Sequence, residues 1–117
     1  MQDGAIFVIG GLKKTESNDE QPTAIQDCVK IDKYLQLSER TPMELPRFNA
    51  PLCLIRGRFI LALGGYIAIH NITQKCEVYD SSLNHWFPMA DLPIQFINST
   101  AVVMNHRTVY LMPGDNN

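Results

Sequence analysis

The chain has no cluster of lysines or arginines. Its 117 residues carry 10 basic and 12 acidic side chains, a formal net charge of −2. Without a basic stripe to neutralise phosphates, nucleic acid and anionic membrane surfaces are poor partners. No apolar run approaches the roughly 20 residues that span a bilayer, so no membrane insertion is expected. The start, Met1 to Gly4, has no positively charged side chain, and the apolar run Ala5 to Ile9 is too short for a signal peptide. The chain therefore reads as cytoplasmic, or as an excerpt from a longer protein. Cysteine is scarce: Cys28, Cys53 and Cys76 make an odd number, and none forms a Cys-x-x-Cys pair. A zinc site needs about four ligands at close paired spacing. The three therefore read as small apolar core residues in a reducing compartment.

Helical periodicity is missing too. No stretch sustains an i, i+3, i+4 apolar pattern, so no helix of consequence is expected. Catalytic motifs are equally sparse. His70, His85 and His106 are not spaced with one another or with a carboxylate for a metal, and they read as solvated surface residues. Ser17, Ser38, Ser81, Ser82 and Ser99 lack a Gly-x-Ser-x-Gly elbow. No Gly-x-x-x-x-Gly-Lys-Ser/Thr phosphate loop is present. No cofactor and no metal site are expected.

What the chain does have is a block that occurs twice and begins a third time. One copy runs Ile-Phe-Val-Ile-Gly-Gly (Ile6 to Gly11), then Cys28 to Asp32, then Leu45-Pro46-Arg47. The second runs Ile-Leu-Ala-Leu-Gly-Gly (Ile60 to Gly65), then Cys76 to Asp80, then Leu92-Pro93. A third start spans Val109 to Gly114. Gly64 lies 54 positions after Gly10, Cys76 48 after Cys28, Leu92 47 after Leu45, and Gly114 49 after Gly65. Self-similarity at roughly 50 residues marks a repeat array of propeller type, in which one unit cannot bury its own apolar faces.

Short apolar runs separated by turn residues argue for an all-β chain. Expected strands are Ala5–Ile9, Ile25–Ile31 and a short outer strand Lys33–Leu37, followed by an irregular stretch from Glu39 to Pro46. Pro51–Ile55 and Phe59–Leu63 form a hairpin across Arg56-Gly57-Arg58, where Gly57 can take a positive φ. Both strands are nearly all apolar, as strands covered on both faces are. Lys75–Tyr79 and Asn84–Phe87 follow, then a connection from Pro88 to Pro93. A last hairpin joins Thr100–Met104 to Thr108–Met112. The stretches Leu12 to Gln21 and Tyr66 to Gln74 read as loops.

Two motifs carry most weight. The pairs Gly10-Gly11 and Gly64-Gly65 each end an apolar strand, where glycine permits a backbone shape that a Cβ forbids. Tyr79 and Trp86 are separated by a strand end, the turn at Asp80-Ser81-Ser82 and the start of a second strand, so they can meet across a hairpin. Core packing is the preferred role, and stacking on a sugar or base is the alternative.

An apolar strand ending in Gly-Gly, then Tyr-Asp, then Trp seven positions after the Tyr, then Met and Leu-Pro, resembles the kelch repeat. Residues 60–93 match through Gly64, Gly65, Tyr79, Asp80, Trp86, Met89, Leu92 and Pro93. Residues 6–47 match partly, through Gly10, Gly11, Asp32, Met43, Pro46 and Arg47. Ile31 stands where Tyr is expected. The resemblance implies a β-propeller of four-stranded blades around a central channel. Nine strands can be counted, three, four and two. The chain is then an incomplete propeller segment: a partial blade over 1–48, a complete one over 49–97 and a partial one over 98–117.

Repeat architecture without a catalytic constellation suggests a non-catalytic protein–protein interaction or scaffolding module, an adaptor that recognises protein partners, and not an enzyme. The remaining blades of a larger propeller are further partners. Two alternatives stand beside it: a structural subunit or fragment of a large assembly, and part of a kelch-fold carbohydrate-active or oxidoreductase enzyme. In kelch-like propellers partners dock where the segments after Gly-Gly and after Pro-Arg line the channel mouth. By position these are Leu12 and Lys13, Phe48 and Asn49, and Tyr66, joined by Phe96 and Asn98. Tyr66, an aromatic with a polar tip, is the strongest candidate. Alternatively, Tyr66 and Phe48 pack only their own loops. The acidic loop Glu16 to Glu20 reads as a solvated insertion.

Overall fold

The computed structural model describes residues 3–14, 21–96, 98–112 and 114. Among them there is no helix, and the all-β expectation holds. Three antiparallel sheets form the body. The first joins β1 (Ile6–Ile9), β4 (Cys28–Ile31) and β5 (Leu37–Arg40), in that order. The second joins β6 (Leu52–Ile55), β7 (Phe59–Leu63), β10 (Cys76–Asp80) and β11 (His85–Met89), with β7 and β10 central. The third is the hairpin of β12 (Thr100–Met104) and β13 (Thr108–Met112). Two small hairpins sit at strand ends: β2 (Leu12–Lys13) with β3 (Thr23–Ala24), and β8 (Tyr66–Ala68) with β9 (Asn71–Ile72).

The alternation of side chains along a strand explains how the sheets stack. On β7, Ile60 and Ala62 face one way and meet Cys28, Met43, Tyr79 and Trp86, with Phe7 and Ile9 of the first sheet against them. Leu61 and Leu63 face the other way and join Cys53 and Cys76, packed by Ala101, Val103, Val109 and Leu111 of the third sheet. An unbroken apolar strand is thus what a sheet sandwiched between two others requires. Each such buried aliphatic side chain contributes about 1.5–3 kcal/mol.

β6 departs from the expectation of full cover. Its Leu52 and Leu54 are 38% and 36% exposed. They point toward the first sheet, which has only three strands and nothing opposite β6. The expected outer strand Lys33–Leu37 is also corrected. Asp32 Oδ1 accepts the N–H groups of Tyr34 and Gln36 at 2.8 and 2.9 Å, and Leu35 takes φ 65°. This side-chain-capped turn occupies residues 32–36, and the strand begins at Leu37. The supposed loops after each Gly-Gly pair are partly hairpins, β2–β3 and β8–β9, so the described strands number thirteen instead of nine. The acidic loop from Glu16 to Glu20, Ile97 and Pro113 lie outside the described residues.

The hairpin turns follow local chemistry. Arg56 and Gly57 take φ 55° and 64°, and Asn105 and His106 take 53° and 59°. Two successive left-handed residues match the right-handed twist of the flanking strands. Pro88 is tolerated inside β11 because β11 is an edge strand.

Candidate functional site

The two Gly-Gly pairs and the connection that contains Pro46-Arg47 meet at one end of the first two sheets. Gly10 takes φ 69°, and a Cβ there would lie 2.5 Å from the carbonyl oxygen of Arg47. Gly65 takes φ 94°, and a Cβ there would lie 2.7 Å from that of Ala50. Glycine is required because residues 47–50 thread directly over both strand ends. Gly11 N–H donates to the Arg47 carbonyl at 2.9 Å. Phe48 and Tyr66 exchange both backbone hydrogen bonds at 2.9 Å, an isolated antiparallel bridge. Their rings stack with centroids 5.2 Å apart and planes at 19°.

The structure thus joins Phe48 to Tyr66, both half-buried, and sets β3 of the Leu12–Lys13 hairpin against β8 of the Tyr66 hairpin. Leu12, Lys13 and Asn49 are exposed around this stack. Phe96 is half-buried and Asn98 exposed on the following connection, where Asn98 lies against Gly114. Asn49 and Asn98 both take the left-handed conformation, φ 53° and 50°. Asparagine tolerates that region better than most residues, so an Asn three positions after Pro46 and another five after Pro93 are the sequence signals for this bend.

Beneath the stack, Arg47 is 1% exposed. One guanidinium nitrogen donates to the carbonyls of Gly64 and Lys75, both at 2.8 Å. The other pairs with Glu77 at 2.8 Å. Glu77 also accepts the N–H groups of Glu44 and Leu45 at 2.8 and 3.1 Å. Arg47 Nε has no partner among the described residues. This buried pair clamps the connection after β5 to β7 and β10. Glu77 was not singled out from the sequence, although a lone carboxylate inside the apolar strand Cys76 to Tyr79 was the available signal.

Tyr79 and Trp86 face each other across β10 and β11 with ring centroids 5.0 Å apart. Tyr79 is fully buried and also meets Phe7 at 5.8 Å. Asn84 ties them to the first sheet: its Oδ1 accepts from Tyr79 O–H at 2.6 Å and from Thr41 N–H at 2.9 Å. Trp86 Nε1–H donates to the Thr41 carbonyl at 2.7 Å. Both rings are committed to structure here, which leaves no face for a sugar or base. On the far side, Arg58 grips Asp80 through two bonds of 2.8 and 2.7 Å. Those bonds hold the Asp80 carboxyl below the usual aspartate range, helped by the Ser82 and Leu83 N–H groups.

Burial pushes the Cys28 thiol up to about 11 and raises those of Cys53 and Cys76 as well, so all three stay protonated at neutral pH. His70, His85 and His106 are exposed on separate elements. Among the described residues no group of three or more His, Cys, Asp and Glu converges on a point where a metal could sit.

No protein-family model matches the chain, and no curated protein matches it. A solved structure does: a copper complex of a fungal alcohol oxidase described as showing catalytic diversity among the AA5 family. The TM-score is 0.80 at 17% identity, over 97% of this chain and 25% of that one. The chain therefore shares its fold with about a quarter of that oxidase. This match corrects the reading of the chain as a non-catalytic adaptor and not an enzyme. That reading rested on repeat architecture without a catalytic constellation, and in the matched structure the same fold belongs to an enzyme. A segment spanning a quarter of such a protein need not hold a whole site.

Proposed function

We propose that the chain is part of a propeller-type domain of an oxidoreductase or carbohydrate-active enzyme, with the 1–48, 49–97 and 98–117 segments as successive blades. The carrying observation is the 0.80 TM-score match to the alcohol oxidase over 97% of the chain. The kelch-like motifs of residues 60–93 support the same reading. In this role the clamp of Arg47 and Glu77 fixes the 47–50 connection, and the end bearing Phe48, Tyr66, Leu12, Lys13, Asn49, Phe96 and Asn98 forms part of the substrate-facing rim. A stacked, half-buried aromatic pair with exposed polar neighbours suits an alcohol or sugar, which offers an apolar C–H face and hydroxyls to hydrogen-bond.

The described residues do not fit copper. The histidines are scattered, and the cysteines are buried and protonated, whereas a metal takes the thiolate. We assign metal chemistry to parts of the enzyme outside this chain and derive no step through it here. The overall reaction of an alcohol oxidase moves two electrons and two protons from the alcohol carbon and hydroxyl to O₂, giving the aldehyde and hydrogen peroxide. The test is to purify the natural protein that contains this chain, load it with copper and assay peroxide release from primary alcohols and galactose-type sugars. Turnover with at least one of them is the expected result. A folded protein silent across both sets overturns the oxidase reading. Tyr66→Ala should raise KM more than it lowers kcat if the rim binds substrate.

A further inference from the structure

Side-chain alternation along the first sheet puts two cations on the face that packs against the second. Cys28 of β4 is on that face and joins the cluster of Ile60, Tyr79 and Trp86. Lys30, two positions on, shares the face. Phe7, opposite Lys30 on β1, packs against the same cluster. Arg40 of β5 lies opposite Cys28 and so points the same way. Lys30 and Arg40 are thus diagonal neighbours, roughly 7–8 Å apart at the backbone, a gap that long side chains bridge.

Neither cation is well neutralised. Among the described residues Arg40 takes part in no ion pair, and its Nε is shielded from solvent without a hydrogen-bond partner. Burial raises the pKa of the Cys28 thiol and of the Tyr79 hydroxyl, and the nearby Arg40 charge works against that rise at both. A guanidinium held among such groups is costly unless an anion meets it. Lys30 pairs with Asp3 at 3.4 Å, and the Asp3 side chain is 58% exposed. One Asp3 oxygen already accepts the Ala5 N–H at 3.0 Å. Between these groups and the β10–β11 turn lies a cavity of about 280 Å³. Asp3, Phe7, Lys30 and Arg40 line it from the side of the first sheet, and Ser81 and Ser82 from the turn. Ser81 Oγ donates to the Arg58 carbonyl at 2.7 Å, which leaves the exposed Ser82 hydroxyl to meet a ligand. Arg58 and Asp80, next to this turn, are paired with each other.

We propose that this cavity binds a phosphate group, free or as the head of a small phosphate ester. A guanidinium fork and an ammonium approach from one wall and a hydroxyl from the other. Donors converging from several directions suit a tetrahedral oxyanion better than a planar carboxylate. The ion pair of Lys30 with exposed Asp3 is worth little, so Lys30 is readily recruited. Both walls, β4–β5 and the β10–β11 turn, belong to this chain, so the site needs no strand from outside it. Ser81 and Ser82 follow the end of β10 that lies away from Gly64, so the cavity is separate from the Phe48–Tyr66 rim. The proposal does not depend on the enzyme reading.

The experiment uses the natural protein that contains this chain and reads binding by calorimetric titration at low ionic strength. The probes are inorganic phosphate, glycerol 3-phosphate and acetate. Saturable binding of at least one of the two phosphates is expected, and the tighter of them tells free phosphate from an ester. Acetate should bind at least tenfold more weakly. Arg40→Gln should weaken phosphate binding at least tenfold, and Lys30→Gln or Ser82→Ala at least threefold. Asp3→Asn should strengthen it, because a competing carboxylate is removed. Lys33→Gln, an exposed lysine outside the cavity, should leave it unchanged. Lys30, Ser82 and Asp3 are not in the buried core, so those three variants carry the test if Arg40→Gln fails to fold. The proposal is overturned if neither phosphate binds saturably, if acetate binds equally well, or if Lys30→Gln and Ser82→Ala bind phosphate as the wild type does. It is also overturned if Lys33→Gln weakens binding as much as Lys30→Gln, since attraction to overall charge then accounts for the effect.

Discussion

Trp86 shows how one side chain can belong to two sheets. It is 3% exposed, stacks near Tyr79 and donates to Thr41 across the sheet boundary. Trp86→Ala should cost about 3–5 kcal/mol in denaturant unfolding. Trp86→Phe should cost less, since it keeps much of the packing and loses chiefly one hydrogen bond worth about 1 kcal/mol. Emission from Trp86 should be that of a buried indole, and a spectrum typical of solvated tryptophan would contradict the packing. Arg47 and Glu77 are a harsher case. Removing either partner strands a charge in a buried site, so Arg47→Ala or Glu77→Ala should cost about 3–5 kcal/mol. The double change to apolar residues of similar volume should recover much of that loss, and a strictly additive double mutant would refute the clamp. Cys28 should resist iodoacetamide at pH 8 until the chain unfolds. Its raised folded value favours the neutral thiol, so its contribution is fully present below the ordinary thiol range and is lost as pH rises from about 9 toward about 11.

At the scale of elements, the chain is a set of hairpins whose turns carry their own fasteners. Asp80 closes β10 by accepting from Ser82 and Leu83 N–H groups while Arg58, from the β6–β7 hairpin, holds it from the side. Because the carboxyl titrates below its ordinary value, its stabilising effect is present above the unfolded range near pH 4 and lost as pH falls through the lower folded value. Asp80→Asn should therefore flatten the acid limb of a stability–pH curve, and an unchanged acid limb would count against the pair. The strands β7, β12 and β13 are legible to the residue because apolar runs end at glycine or turn residues. The two-residue strands β2, β3, β8 and β9 are not, because such short pairs have no period to read and depend on the 47–50 connection lying across them. The turn at Asp32 was missed for a related reason. Tyr34, Leu35 and Leu37 look like a strand by composition, yet they are 71–77% exposed, and a side-chain carboxylate sets the backbone there.

For the whole molecule, the open faces matter most. The outer face of the third sheet exposes Val102, Met104, Tyr110 and Met112, and that of β1 exposes Ile6 and Val8. Apolar sheet faces and unpaired edges of this kind favour association. Expressed alone, the chain should self-associate or pack loosely, measured by sedimentation and thermal unfolding at several concentrations. A sharp, concentration-independent transition of a monomer would contradict the segment reading. Among the described residues, no helix is long and apolar enough to cross a membrane.

The sequence by itself determined the all-β class, the period of roughly 50 residues, the main strands and the positions where only glycine fits. These follow from local rules: side-chain alternation, turn chemistry and the cost of a Cβ at a positive φ. Only the tertiary structure decided that Phe48 stacks on Tyr66, that Arg47 reaches Glu77 thirty positions away, and that Asn84 binds Thr41 across two sheets. Those contacts join residues far apart in the chain, and no local pattern encodes the distance between them. The likeness to an oxidase likewise rests on the arrangement of the sheets. At 17% identity it is the path of the backbone that persists, because packing preserves the alternation of buried and exposed positions more strictly than the residues that fill them.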